Sequence, residues 1–370
     1  LRLTPTCVLP IRTRTTPSMM RSPKRKFSPM CLNGRELVGE LANRRKKTAE
    51  RFAALRHLLS SAETLAHGKA CVFATGSFGR GEASRYSDLD VFIVGRNSRE
   101  PESDDATASQ LKNLDAICIK AKLIEATRKL YIPEFSGDGR YLTHYSVYEL
   151  TKTLGTEHDD VTNTFTARLL LLLESQPLLE ARAHKAIKRE VIDAYWRDYK
   201  GRERVFNPAF LANDILRLWR TFCVNYEART ERAPRKERAK GKLKNYKLKH
   251  SRLLTCYSGL IYLLAVYEGK GTVSPEDAMT MTELTPTGRL DWLLGRPKFS
   301  TAGSKIVALL NQYEQFLKIT DAADGALISE FMSPTTSRSR MAEAYKFGDL
   351  VYDALNTVGN GNKLHRILLV

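Results

Sequence analysis

No CxxC pair, HxxxH spacing or Cys/His grouping occurs among the six cysteines and seven histidines of this 370-residue sequence. A zinc-centred fold or catalyst is therefore not expected. Cys71, Cys223 and Cys256 sit inside apolar periodic runs and read as buried free thiols of a reducing compartment, which places the protein in the cytoplasm. No apolar run reaches the roughly 20 residues that a bilayer requires. The longest candidate, Leu253 to Tyr267, is interrupted by Thr255, Ser258 and Gly259 and reads as a buried helix, so no membrane partner is expected. Acidic residues are also scarce: 41 Asp and Glu stand against 59 Lys and Arg, a formal charge of +18. Such a surplus favours polyanionic partners, whether through a long-range nucleic-acid field or a local phosphate pocket.

Residues 1–35 contain eight Lys or Arg, five prolines and no acid. They lack the apolar core of a secretory signal. The composition fits an organelle transit peptide, or translated upstream sequence ahead of a start at Met19, Met20 or Met30, and this extension is set aside from the fold. The remainder carries enough apolar residues for a full core, 42% of the whole chain. It divides into a region over 36–200 with strand signals and a region over 201–370 that is mainly helical.

In chain order, Leu37, Leu41, Phe52, Leu55, Leu58 and Leu59 recur at helical spacing, giving one long helix or two. Strands follow at Ala70 to Thr75 and Leu89 to Val94. A polar loop leads to an amphipathic helix over Leu111 to Leu130, where Asp115 is either a ligand by residue type or part of a solvated face. A Gly-Asp-Gly turn at Gly137 to Gly139 precedes a third strand over Arg140 to Val147. Thr164 to Leu173 is a buried helix or strand, and Leu179 to Tyr199 a polar helix carrying Trp196. Asn207 and Pro208 start a helix whose stripe is Leu211, Ile215, Leu218, Trp219, Phe222 and Tyr226. Arg232 to Arg252, with ten cations and one acid, begins as a flexible loop and becomes helical near Asn245. Helices are expected from Ser274-Pro275, over Thr301 to Ile319 and over Thr336 to Leu355.

The chemistry concentrates in Cys71 to Val94, CVFATGSFGRGEASRYSDLDVFIV. Gly76, Gly79 and Gly81 allow backbone N–H groups to approach a polyphosphate, with a helix opening near Ser77 aimed at the same anion. Asp88 and Asp90, two residues apart in the second strand, project from the same face of the sheet as a clamp for a divalent cation. The alternative is that Asp88 caps a turn and Asp90 pairs with Arg80 or Arg85. The glycine order is GxxGxG, not GxGxxG, and no Gly-Lys-Ser or Gly-Lys-Thr follows, so neither a dinucleotide fold nor a Walker loop accounts for the stretch.

Gly76-Ser77, a spacer of ten residues, then Asp88-Leu89-Asp90 resembles the signature of the DNA polymerase β-like nucleotidyltransferase superfamily. With Gly79-Arg80-Gly81-Glu82 and Ser87, it is most similar to the catalytic domain of the protein-PII uridylyltransferases and related bacterial nucleotidyltransferases. The resemblance implies an α+β fold, a small mixed sheet flanked by helices and closed by a helical C-terminal lobe. It implies that Asp88 and Asp90 hold two Mg2+ ions, with Mn2+ as the alternative, and that Gly76 and Ser77 grip the triphosphate of an NTP. Arg80 would meet a phosphate, while Glu82 would brace the loop.

The family's third carboxylate corresponds to Asp138, which could equally be a turn residue, with Glu134 as substitute. His144 either contacts substrate or is a hydrogen-bonded structural histidine. Asn245 and Lys247 resemble the family's Asn-Leu-Lys segment, although the glycine pair and Leu-Arg-Asp that normally follow are absent. Lys244, Lys247, Ser251 and Arg252 either line a helix side facing the triphosphate or form a solvated basic face. The implied reaction moves an NMP to a hydroxyl of a protein, an RNA 3′ end or a second nucleotide. A nucleotide sensor or nucleic-acid-binding regulator that keeps the fold without catalysis is the alternative.

Overall fold

The computed structural model describes residues 39–97, 109–135, 139, 142–230 and 234–369. Their order is α+β, as expected. Four strands, β1 (Ala70–Thr75), β2 (Asp90–Gly95), β3 (His144–Ser146) and β4 (Gln176–Leu179), form one mixed sheet in the order β3-β2-β1-β4. β1 pairs antiparallel with β2 and β4, and β3 runs parallel beside β2. β1 is buried along its whole length because both faces of the sheet are covered.

Alternation along the strands separates two cores. Val72, Ala74, Val91 and Ile93 pack with Phe52, Leu55, Ile119 and Leu123 on one face. Cys71, Phe73 and Val94 join a larger core on the other. The first face is covered by the helices Glu40–Leu58, Ser60–Ala66 and Asn113–Lys129. The second is covered by Thr164–Glu174 and Ala181–Tyr195, behind which lie the helices of the C-terminal half. That larger core runs without interruption from Leu41 and Leu172 to Leu260, Tyr313 and Phe347, so the segments 36–200 and 201–370 share it. Among the described residues no helix is long and apolar enough to cross a membrane.

Three differences from expectation have physical causes. The second strand begins at Asp90, so Asp88 lies just ahead of it. Gln176–Leu179 is a strand that the sequence hides, because Pro177 interrupts its ladder; as an edge strand it tolerates the missing N–H. The basic run is not a loop up to Asn245: Arg235–Lys247 is a helix. Ala239, Leu243 and Tyr246, at i, i+4 and i+7, are buried, and these three anchors suffice while the Lys and Arg heads stay in water. Residues 231–233 lie outside the described residues, as do Arg140 and Tyr141 of the expected third strand.

The helix does not pass smoothly into Leu253–Lys270. Leu248–Arg252 winds as one π-helical turn. Its centre, His250, is buried, stacked between Phe316 (centroids 4.6 Å apart) and Phe347 (4.8 Å), and its Nδ1 lies 2.9 Å from the Tyr246 carbonyl oxygen. Burial pushes the imidazole down to about 4. The unfolded chain takes up this proton near 6.5, so the folded state loses stability as the pH falls from 6.5 towards 4, by ~3 kcal/mol in total. Urea midpoints measured across that range should fall with acidification. His250→Phe, which keeps the stack, should flatten the slope.

Candidate active site

The antiparallel register brings the ends of the signature together. Thr75, the last residue of β1, faces Asp90, the first of β2. Gly76 and Ser77, which follow β1, therefore meet Asp88 and Asp90 at one edge of the sheet. Gly76 has φ +63°, which favours glycine, and a Cβ there would stand 2.6 Å from Asp90 Oδ2 and displace that carboxylate. Gly79, inside the short helix Gly76–Arg80, is pressed against the neighbouring helix: a Cβ would lie 1.9 Å from the Glu174 carbonyl oxygen. Gly79→Ala should cost ~1–3 kcal/mol by forcing these backbones apart, read as a lowered denaturation midpoint.

Gly76, Ser77, Asp88 and Asp90 line a cavity of about 660 Å³. Gly76, Ser77, Arg80, Asp88, Asp90, Glu134, Lys247, Ser251 and Arg252 all contribute to its wall, whereas Lys244 is exposed and lies outside it. Glu134 is exposed and pairs with Arg128 at 3.1 Å. Lys247 reaches Asp324 at 2.9 Å, and the Ser251 hydroxyl donates to the Lys247 carbonyl oxygen at 2.8 Å. Asp138 lies outside the described residues. His144 Nε2 is 3.0 Å from the Ser109 hydroxyl, and burial pushes its imidazole down. Asp115 pairs with Lys69 at 3.3 Å.

Asp88 is exposed and Asp90 half-buried, and among the described residues neither carboxylate accepts a hydrogen bond or joins an ion pair. Burial and the adjacent Asp88 charge raise the Asp90 carboxyl above its usual range, against the pull of Arg252 and Arg80. Two unpartnered carboxylates side by side on a cavity wall are a donor set for a hard divalent cation that keeps phosphates and water in its shell. No group of three or more His, Cys, Asp or Glu side chains is assembled for a metal among the described residues. The pair thus fits a metal that arrives with its substrate, not a closed protein cage.

Behind the pair stands a residue that the sequence reading missed. Glu174 is fully buried. Its Oε1 accepts the Gly76 N–H at 3.0 Å and pairs with Arg252; its Oε2 accepts from Arg80 Nη1 at 3.0 Å and the Thr255 hydroxyl at 2.7 Å. Burial would raise this carboxyl, but Arg252 and Arg80 more than offset it and hold it below the usual range. The Gly76 N–H is therefore committed to Glu174 and is not free to donate to a phosphate, unlike the expectation from the sequence. Arg80 is committed as well: its Nε donates to Glu82 Oε2 at 2.8 Å, and the same oxygen accepts the Tyr313 hydroxyl at 2.8 Å. Arg44 ties the backbone of Glu82 to that of Leu317, at 3.1 and 2.7 Å. The Gly76–Glu82 segment is thereby fastened to the C-terminal helices on two sides. A single carboxylate closing the run Leu169 to Leu173 was the available signal, because a charge in such a setting has to be paired.

No curated protein and no solved structure shows a significant match to the chain. Residues 55–136, which include β1, Gly76, Ser77, Asp88, β2 with Asp90, and Glu134, match the family model of the nucleotidyltransferase domain.

Proposed function

We propose that the protein is a Mg2+-dependent nucleotidyltransferase that moves an NMP from an NTP to a hydroxyl and releases pyrophosphate. The carrying observation is the unpartnered Asp88–Asp90 pair beside Gly76 and Ser77 on one cavity wall. In this reading Asp88 and Asp90 hold the metal, and Ser77, Lys247 and Ser251 surround the triphosphate. Lys247 exchanges its exposed partner Asp324 for a phosphate oxygen. A pair of Mg2+ ions held by these carboxylates would supply neutralisation of phosphate charge and stabilisation of the attacking and leaving oxygens of an in-line displacement. The acceptor oxygen bonds to the α-phosphorus as the bond to pyrophosphate breaks, and its proton passes to a carboxylate, for which Asp138 and Glu134 are the candidates. Kinship with the protein-PII uridylyltransferases is supported by the Gly76–Glu82 and Asp88–Asp90 pattern alone.

The test incubates the full chain with each α-labelled NTP, Mg2+ and either RNA or protein extract, beside the Asp88→Ala/Asp90→Ala double variant. Label transferred by the wild type and not by the variant is the expected result. NTP binding without transfer to any acceptor would replace the enzyme with a nucleotide sensor of the same fold.

A further inference from the structure

A second cavity, of about 420 Å³, opens on the other side of Asp90. Asp90 and Arg252 belong to the walls of both spaces, so they form the partition between them. Phe92 shares a sheet face with Asp90, and with Phe135 and Phe222 it supplies aromatic wall; Thr166 supplies a polar edge. The Thr75 hydroxyl, on the same sheet face, belongs to a residue that is 1% exposed and has no hydrogen-bond partner among the described residues, which leaves its bonding capacity open to a group entering the cavity. Arg252 lies over the Phe222 ring at 5.4 Å, adding a cation at the boundary.

We infer that this cavity receives the acceptor, and that the acceptor is a nucleoside whose base lies against the phenylalanines and whose ribose hydroxyl reaches the partition at Asp90. The inference rests on the transferase reading. Aromatic side chains take the π-face of any base, and polar groups at the edge of the same pocket meet its donors and acceptors. A tyrosine ring would occupy the apolar wall but leave the Thr166 edge without a counterpart. The general positive charge suits a phosphate attached to that nucleoside. The nucleoside is supplied either by an RNA 3′ end or by a free nucleotide, which present the same chemistry to the pocket.

The experiment uses the full chain with Mg2+ and labelled NTP and offers three acceptors: a short RNA with a free 3′ hydroxyl, a free ribonucleotide, and protein extract. Label is expected on the RNA or on the nucleotide, the two arms distinguishing the source. Phe222→Ala should raise KM for that acceptor about tenfold, by loss of stacking, with little change in KM for the NTP, and Thr166→Val, an isosteric change, should act in the same direction. Equilibrium binding of a 3′-deoxy-terminated form of the same acceptor, which cannot react, should weaken in parallel. Label on protein alone, abolished by Asp88→Ala/Asp90→Ala, overturns the nucleoside acceptor and leaves the transferase standing. Absence of label on every acceptor overturns both. Equal KM and equal binding in wild type and both variants overturns the assignment of the cavity.

Discussion

Asp90→Asn is expected to lower nucleotidyl transfer by about a thousandfold or more and, in the same protein, to raise the denaturation midpoint without Mg2+. The first effect follows from removing one of two adjacent charges that would hold the cation opposite developing phosphate charge. The second follows from the electrostatics. Burial and Asp88 hold the Asp90 carboxyl above its usual range, so its ionised form is disfavoured in the folded state. For an acid raised in this way, the unfolded chain releases its proton at lower pH than the folded chain does. Stability therefore declines as the pH rises from the ordinary carboxylate range through the raised value, and the asparagine variant lacks that decline. Transfer assays and pH-dependent urea titrations of the two proteins check both halves. A variant that loses activity and stability together would contradict the picture of an intrinsically repulsive, metal-awaiting pair.

Glu174→Ala is expected to destabilise the protein by ~3–5 kcal/mol, the largest single-site effect on stability anticipated here. The side chain is fully buried and answers Arg80 and Arg252 together, with the Gly76 N–H and the Thr255 hydroxyl. Deleting it strands the buried Arg80 and the half-buried Arg252 instead of merely removing a bond. Glu174→Gln should also be strongly destabilising, because it retains the shape without the charge. Pairing Glu174→Gln with Arg80→Met should cost less than the sum of the single changes, since each removes the other's unmet need. Urea denaturation of the four proteins measures the coupling. Transfer should fall alongside stability in the Glu174 variants, because the carboxylate that accepts the Gly76 N–H and pairs with Arg80 is lost.

What could be read from the chain and what could not divide along physical lines. β1, β2 and the turn between them were legible because apolar runs of strand length bracket glycines and aspartates, residue types with few alternative uses in that order. Helix starts such as Ser274 were legible because capping is local, and the structure shows that capping box with Pro275 at the first helical position. Glu174 was not, since its meaning depends on Gly76, Arg80, Arg252 and Thr255 converging across the sheet from separate parts of the chain. The basic helix Arg235–Lys247 was read partly as loop because its cations outweighed three buried anchors. β4 was lost to Pro177, whose effect depends on whether a strand is central or at the edge, and that is a property of the finished sheet.

The π turn at Leu248–Arg252 acts as a phase shifter. An α-helix advances each residue by about 100°, and a π turn holds one residue more than an α turn. The faces of Arg235–Lys247 and Leu253–Lys270 are therefore offset by roughly that angle although the backbone is continuous. Lys247 on one side and Arg252 on the other can both address the cavity while Tyr246 and His250 remain in the aromatic core. Shortening this turn by a single residue would restore even winding and break that agreement at a stroke. The length of this segment, more than the identity of its basic residues, keeps two helices aimed at one site.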